Sequence, residues 1–300
     1  MTELKSLNDL VRIAAGKGYR TLVVAVAQDE DVLKAVKAAA AANLIVPILV
    51  GNRREIESAA SMAGYDVSGV ELVHEPDKQM ACEKAVELVR NGKGQILMKG
   101  LVSTGLLVKA ILSKENGLLR GSLLSHVAFF ESPHYHKIFC VTDAALNISP
   151  DITEKADIIR NAIGVYHALG IMQPRVAALA AVETVNPKME ATVHAALLTA
   201  MQKRNQITGC LIDGPLALDN AISADAAAHK GITSDVAGNA DILLTPDLNC
   251  GNILYKSLNF LGGSVTAAMV VGASVPVVLT SRADSDTSKF LSIALAAATN

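Results

Sequence analysis

The chain has 300 residues, enough for about two domains at roughly 150 residues each. Hydrophobic residues make up 51% and charged residues 19%, and 27 basic side chains against 29 acidic ones leave a formal net charge of −2. That balance excludes intrinsic disorder and the concentrated cations that nucleic-acid binding requires, and aromatics at 3% argue against a base-stacking surface.

The first eighteen residues carry Glu3 and Asp9 and no apolar run, so they do not read as a signal peptide. Apolar runs then predict strands at 22–27, 45–50, 70–74, 95–98, 127–130, 138–142, 176–181, 208–212, 242–245 and 275–280. Several are apolar at nearly every position, the pattern of strands covered on both faces. Helical patterns fall between most of them, at 30–42, 53–63, 78–90, 104–112, 152–168, 188–203, 251–260 and 287–298. Strand–helix alternation predicts an α/β fold with a largely parallel sheet. The exception is 124–142, where two strand runs joined by ESPHYHK predict an antiparallel hairpin. The runs beginning at Arg20 and Arg175 read alike, as the opening βα unit of each of two domains.

Residues 257–281 carry no charge, a stretch long enough to span a bilayer. Gly262, Gly263, Gly272 and Pro276 interrupt it, so it reads as a buried helix, a turn and a central strand. No CxxC pair occurs among Cys82, Cys140, Cys210 and Cys250, which fits buried thiols in a reducing cytoplasm. His134 and His136 share the parity of one strand face, but no third metal ligand stands at a telling spacing. No metal is expected.

Four segments place chemistry-bearing residues at strand ends, where open α/β sheets bind ligands. In 276–286 an apolar strand runs into Thr280, Ser281, Arg282, Asp284 and Asp286 before a helix. A helix N-terminus attracts anions, and a guanidinium fork matches phosphate or carboxylate; capping by Ser285 or Asp286 accounts for part of the same pattern. In 98–105, Lys99, Ser103, Thr104 and two glycines stand between a strand and a helix. Neither a Walker A loop nor a GxGxxG fingerprint is present. Asp213 and Asp219 follow a third strand, and Asn249 and Asn252 open a helix after a fourth. No GxSxG elbow surrounds Ser281.

Together these segments resemble the phosphate acetyl/butyryl transferase family, closest to its butyryltransferases. The resemblance rests on KGLVSTG at 99–105, LSHVAFFESP at 124–133, VTDAALNISPD at 141–151, DGPLALDNAIS at 213–223, PDLNCGNILYK at 246–256 and PVVLTSRADS at 276–285. It implies a two-domain α/β fold like that of isocitrate and isopropylmalate dehydrogenases, with mostly parallel sheets and an interdomain cleft. Residues 1–125 with 270–300 would form one domain and 126–269 the other. It also implies a homodimer or higher homo-oligomer, and reversible transfer of a short acyl group between coenzyme A and inorganic phosphate. Acyl-CoA, CoA and phosphate are then the partners, with no cofactor, nucleic acid or membrane.

In that reaction a carboxylate takes the thiol proton and preorganised donors meet the charge that develops on the acyl oxygen and the leaving phosphate. The resemblance assigns Arg282 to phosphate and Ser281 to the sulfur or the oxyanion. The related acetyltransferases carry a base Asp seven positions after that Ser. Position 288 here is Ser288, which leaves Asp284, Asp286 or Asp219 as the base. Lys99, Ser103, Thr104, Asn249 and Asn252 are candidate substrate contacts. Acetyl-CoA in place of butyryl-CoA, or a non-catalytic acyl-CoA or phosphate sensor, are the alternatives. Four of the ten aromatics, Phe129, Phe130, Tyr135 and Phe139, cluster near the expected domain junction, either as hairpin packing or as a border of the acyl pocket.

Overall fold

The computed structural model of the chain describes residues 4–280 and 284–300. They fall into two units: Asn8–Gly121 with Ala267–Asn300, and the segment up to Leu7 with Ser122–Thr266.

In the first unit the run RTLVVA forms β1 (Arg20–Ala25), whose last four residues are buried. Beside it lie β2 (Ile45–Gly51), β3 (Glu71–His74), β4 (Ile96–Lys99), β11 (Val277–Val278) and most of β10 (Val265–Val271). The strand order is β3-β2-β1-β4-β11-β10. The first five are parallel, and β10 runs antiparallel to β11. The register puts Val24 beside Leu49 and Met98, and Val278 beside Met98 on the far side.

The helices of this unit are α1 (Asn8–Gly16), α2 (Glu30–Ala41), α3 (Arg53–Met62), α4 (Lys78–Arg90), α5 (Thr104–Ile111) and α11 (Asp286–Thr299). Short polar residues set several starts: Asp29, Asn52, Asp77, Ser103 and Ser285 each cap a helix with a side-chain oxygen. Helix α11 is apolar from Leu291 to Ala298 except at Ser292, whose Oγ accepts from Ala268 N, and it is buried all round, as such a helix must be. It packs against α1 and α2, while α4 packs against α5.

The second unit contains β5 (Ser125–Glu131), β6 (Phe139–Thr142), β7 (Arg175–Leu179), β8 (Leu211–Leu216) and β9 (Ile242–Leu244). Their order is β5-β6-β9-β7-β8, with β5 and β6 antiparallel and the rest parallel. Its helices are α6 (Ile152–Ala168), α7 (Glu190–Lys203), α8 (Leu218–Ile222), α9 (Ala224–His229) and α10 (Leu248–Phe260). The expected hairpin is β5–β6. Its aromatics stack within the unit: Phe129 on Tyr166 with centroids 5.1 Å apart, Phe130 on Phe139 at 5.6 Å, and Tyr135 edge-on to Phe139 at 5.4 Å. Phe129 and Phe130 expose nothing, so their area is spent on the core.

Three expectations need correction. The uncharged stretch 257–281 is not a buried helix followed by one strand. Helix α10 ends at Phe260 with only Gly251 buried, and β10 and β11 follow as an antiparallel pair. β8 extends through Asp213 to Leu216, so Asp213 lies within a strand and not at its end. Helices α1, α8 and α9 have no counterpart in the sequence reading; α8 and α9 have five and six residues, too short to show a helical period. No helix among the described residues is long and apolar enough to cross a membrane.

Candidate active site

Strand order in the first unit steps from β1 to β2 to β3 and then returns to the other side of β1 with β4. Open α/β sheets bind ligands at such a reversal, at the carboxyl ends of the two strands. Here those ends are the segment after Ala25 and the segment from Lys99.

The two segments approach closely. Gly100 N donates to Ala25 O at 2.8 Å and Leu101 N to Val26 O at 2.7 Å. Val26 is buried in the left-handed region at φ 57°, a conformation that costs a β-branched residue about 1–3 kcal/mol. A Cβ at position 100 would stand 2.1 Å from Val26 O, so the glycine of the KG pair is required by backbone contact.

Lys99 closes β4 as a buried cation. Its Nζ donates to the carbonyl oxygens of Gly100 at 3.2 Å and Val102 at 3.3 Å. Ser103 caps α5, its Oγ accepting from Leu106 N at 3.4 Å. Thr104 follows as the first residue of α5, exposed. A lysine, two hydroxyls and a helix N-terminus thus share one strand end, a combination suited to an anion.

β11 runs parallel to β4, and past Thr280 the chain reaches Ser281 and Arg282, both outside the described residues. Asp284 and Asp286 are described. Asp284 offers its main-chain carbonyl to Nζ of Lys289 at 2.6 Å, and Lys289 is itself buried. Asp286 is exposed at the first position of α11, where the helix dipole favours a carboxylate. Ser288, at the position where related acetyltransferases carry a base, donates its N–H to the capping Ser285 Oγ at 3.1 Å.

The remaining candidates belong to the second unit. The carboxylate of Asp219 lies 3.3 Å from Lys230 Nζ, which also pairs with Glu183. The hydrogen bond from Lys230 holds Glu183 below the usual carboxylate range. Asn249 is exposed on α10, whereas Asn252 Nδ2 donates to Ala144 O at 3.1 Å and ties α10 to the loop after β6. Thr245 Oγ1 donates to Asp143 O at 3.1 Å in the same junction. His134 and His136 join no metal-holding group of three or more His, Cys, Asp or Glu among the described residues.

Sequence reasoning missed Asp143. This buried carboxylate accepts from His126 N at 3.0 Å, Ala145 N at 2.7 Å, Leu146 N at 3.0 Å and Asn147 Nδ2 at 2.6 Å. It also missed Lys155 and His194, which are 2.9 Å apart. Asp and Asn four residues apart in VTDAALN was the only local sign of the first; the second pair has none.

Fold and site define an α/β protein with an anion-suited strand end, Lys99 to Thr104, at the switch point of a parallel sheet. Residues 6–83 and 74–297 match the family described as phosphate acetyl/butaryl transferase, and the chain belongs to this family of phosphate acyltransferases. It is 48% identical to the phosphate butyryltransferase of Clostridium acetobutylicum over 98% of each chain. It is 42% identical to the phosphate acetyltransferase of Thermotoga maritima, over 97% of this chain and 98% of that one. Among solved structures, a branched-chain phosphotransacylase from Enterococcus faecalis V583 matches with a TM-score of 0.83 and 36% identity, covering 93% of this chain and 98% of that one.

Proposed function

We propose that the protein transfers a short acyl group reversibly between coenzyme A and inorganic phosphate, with butyryl-CoA as the favoured acyl donor. The observation that carries this reading is the buried Lys99 beside the α5 N-terminus at the switch point of the sheet, in a chain similar along nearly its whole length to phosphate butyryltransferases. In the direction toward acyl-CoA, the thiol proton passes to a carboxylate. The sulfur then bonds to the acyl carbon of the acyl phosphate, the bond between that carbon and the bridging oxygen breaks, and phosphate leaves with that oxygen and the bonding pair. Arg282 and Lys99 take the phosphate charge, Ser281 hydrogen-bonds the sulfur or oxyanion, and Ser103 and Thr104 hold phosphate or CoA oxygens. Asp286 or Asp284 serves as base. Asp219 is the weaker candidate because Lys230 already occupies it.

Transfer is direct, with no acyl-enzyme and no cofactor beyond the two substrates. Burial pushes Cys82 and Cys210 up to about 11 and raises Cys140 and Cys250 as well, which disfavours each as a thiolate nucleophile. Four unpaired cysteines are consistent with a reducing cytoplasm.

The active form is a homodimer. Helix α10 carries Ile253 at 66% and Phe260 at 65% exposure, and Leu261 follows at 87%. From Leu248 to Leu261 the only charge is Lys256. A large exposed apolar face marks an interaction site, and one nearly free of charge can meet a copy of itself across a two-fold axis. Replacing Phe260 and Leu261 by Glu is expected to yield a monomer by light scattering; an unchanged mass would refute the interface.

The activity test measures thiol release from C2 to C6 acyl-CoAs. Release that requires phosphate and peaks at butyryl-CoA supports the reading. A peak at acetyl-CoA would favour the acetyltransferase alternative. No phosphate dependence at any length would favour a sensor and sink the proposal.

A further inference from the structure

Lys155 is the fourth residue of α6 and His194 the fifth of α7. The lysine is 4% exposed, and its Nζ lies 2.9 Å from His194 Nδ1. It joins none of the ion pairs among the described residues. An ammonium only donates, so His194 must offer the lone pair of Nδ1 and carry its own proton on Nε2. A second proton would set two cations against each other, the lysine buried and the imidazole half-buried.

The charged groups facing the pair are Asp151 at the N-cap of α6, Glu190 at the start of α7 and Asp247 at the N-cap of α10. Each favours a positive Lys155, and burial opposes it more strongly. Burial and then Lys155 push His194 down, against the pull of Glu190 and Asp151. A cavity of about 10 Å³ beside the pair is lined by Leu179, Leu244, Thr245 and Pro246 at the carboxyl ends of β7 and β9, room for about one water.

We propose that Lys155 and His194 are positioning residues for acyl transfer: a pair sharing one proton that pins α6 to α7 beside the Thr245–Asp247 turn, and that lets go on acidification. The turn leads into α10, where Asn249 and Asn252 are candidate substrate contacts, so the inference rests on the reaction proposed above. Protonation of His194 removes the acceptor that Lys155 uses and replaces attraction by repulsion. The acid limb of activity then reports the pair and not a group that touches substrate.

Two measurements on the full chain test this. Proton NMR of the imidazole is expected to show His194 titrating below 6.5 and moving up toward that value in Lys155→Met. If that variant does not fold, Lys155→Arg keeps the cation and is expected to hold His194 low. In the pH profile of kcat/KM for phosphate-dependent CoA release, His194→Asn supplies an Oδ1 acceptor that cannot titrate, and should move the acid limb to lower pH. An ordinary His194 titration in the natural protein, or an acid limb unmoved in His194→Asn, overturns the proposal. Absence of phosphate-dependent release from the natural protein defeats the acyl-transfer reading instead, and the titration alone then decides whether the proton is shared.

Discussion

Gly100 lies against Val26 so closely that a Cβ on the glycine would stand 2.1 Å from the valine's carbonyl oxygen. The contact fixes the distance between the ends of β1 and β4, and with it the place of Lys99 relative to β1. Gly100→Ala must push the two ends apart. Overpacking of this kind costs about 1–3 kcal/mol, and the midpoint of urea unfolding should fall accordingly. A variant as stable as the parent would show that the ends yield freely.

Lys99→Met keeps the apolar stem and removes the charge. If Lys99 meets phosphate, the KM for phosphate should rise about tenfold or more, equal to roughly 1.4 kcal/mol, with the KM for acyl-CoA moving less. Steady-state kinetics in both substrates separates the two effects. Equal changes in both would assign Lys99 to holding the loop carbonyls of Gly100 and Val102.

Arg282→Ala tests the role drawn from the SRADS segment. Far-ultraviolet circular dichroism should be unchanged, while kcat/KM falls at least about tenfold. A smaller loss would remove Arg282 from the phosphate site.

Acid should weaken the fold through His194. Its folded pKa lies below the unfolded value near 6.5. Between those two values the unfolded chain binds a proton that the folded chain refuses, so stability falls as pH drops through that window. Chemical denaturation at pH 7.5 and stepwise below 6.5 should show this slope in the parent and a shallower one in His194→Asn. Parallel slopes would mean that His194 titrates alike in both states.

Much of the parallel sheet was legible because its strands are short and apolar at almost every position, as at Leu22–Ala25, where all four residues are buried. The hairpin at β5–β6 was legible because its runs stand too close together for a crossover helix. β10 was not legible, since an uncharged run of Val, Ala and Met fits helix and strand equally. The Lys99–Thr104 segment showed its chemistry locally, because capping and strand ends are local. The Lys155–His194 pair joins residues 39 positions apart, and no local period carries that. Asp219 became a candidate base because position 288 is a serine, but it lies on α8 and its ion pair with Lys230 depends on how α8 and α9 pack.

The burial of α11 has a consequence for the order in which the molecule assembles on the ribosome. The apolar surfaces of α1 and α2 are covered by Leu291–Ala298, and β4 waits for β11 as its neighbour. Within residues 8–121 the four strands can pair, and α4 can pack on them, as they appear, but the faces of α1 and α2 that α11 covers and the free edge of β4 stay open until α11 and β11 have been made. Those faces close last in their unit, and chaperones that bind exposed Leu, Val and Ala segments have their longest opportunity there.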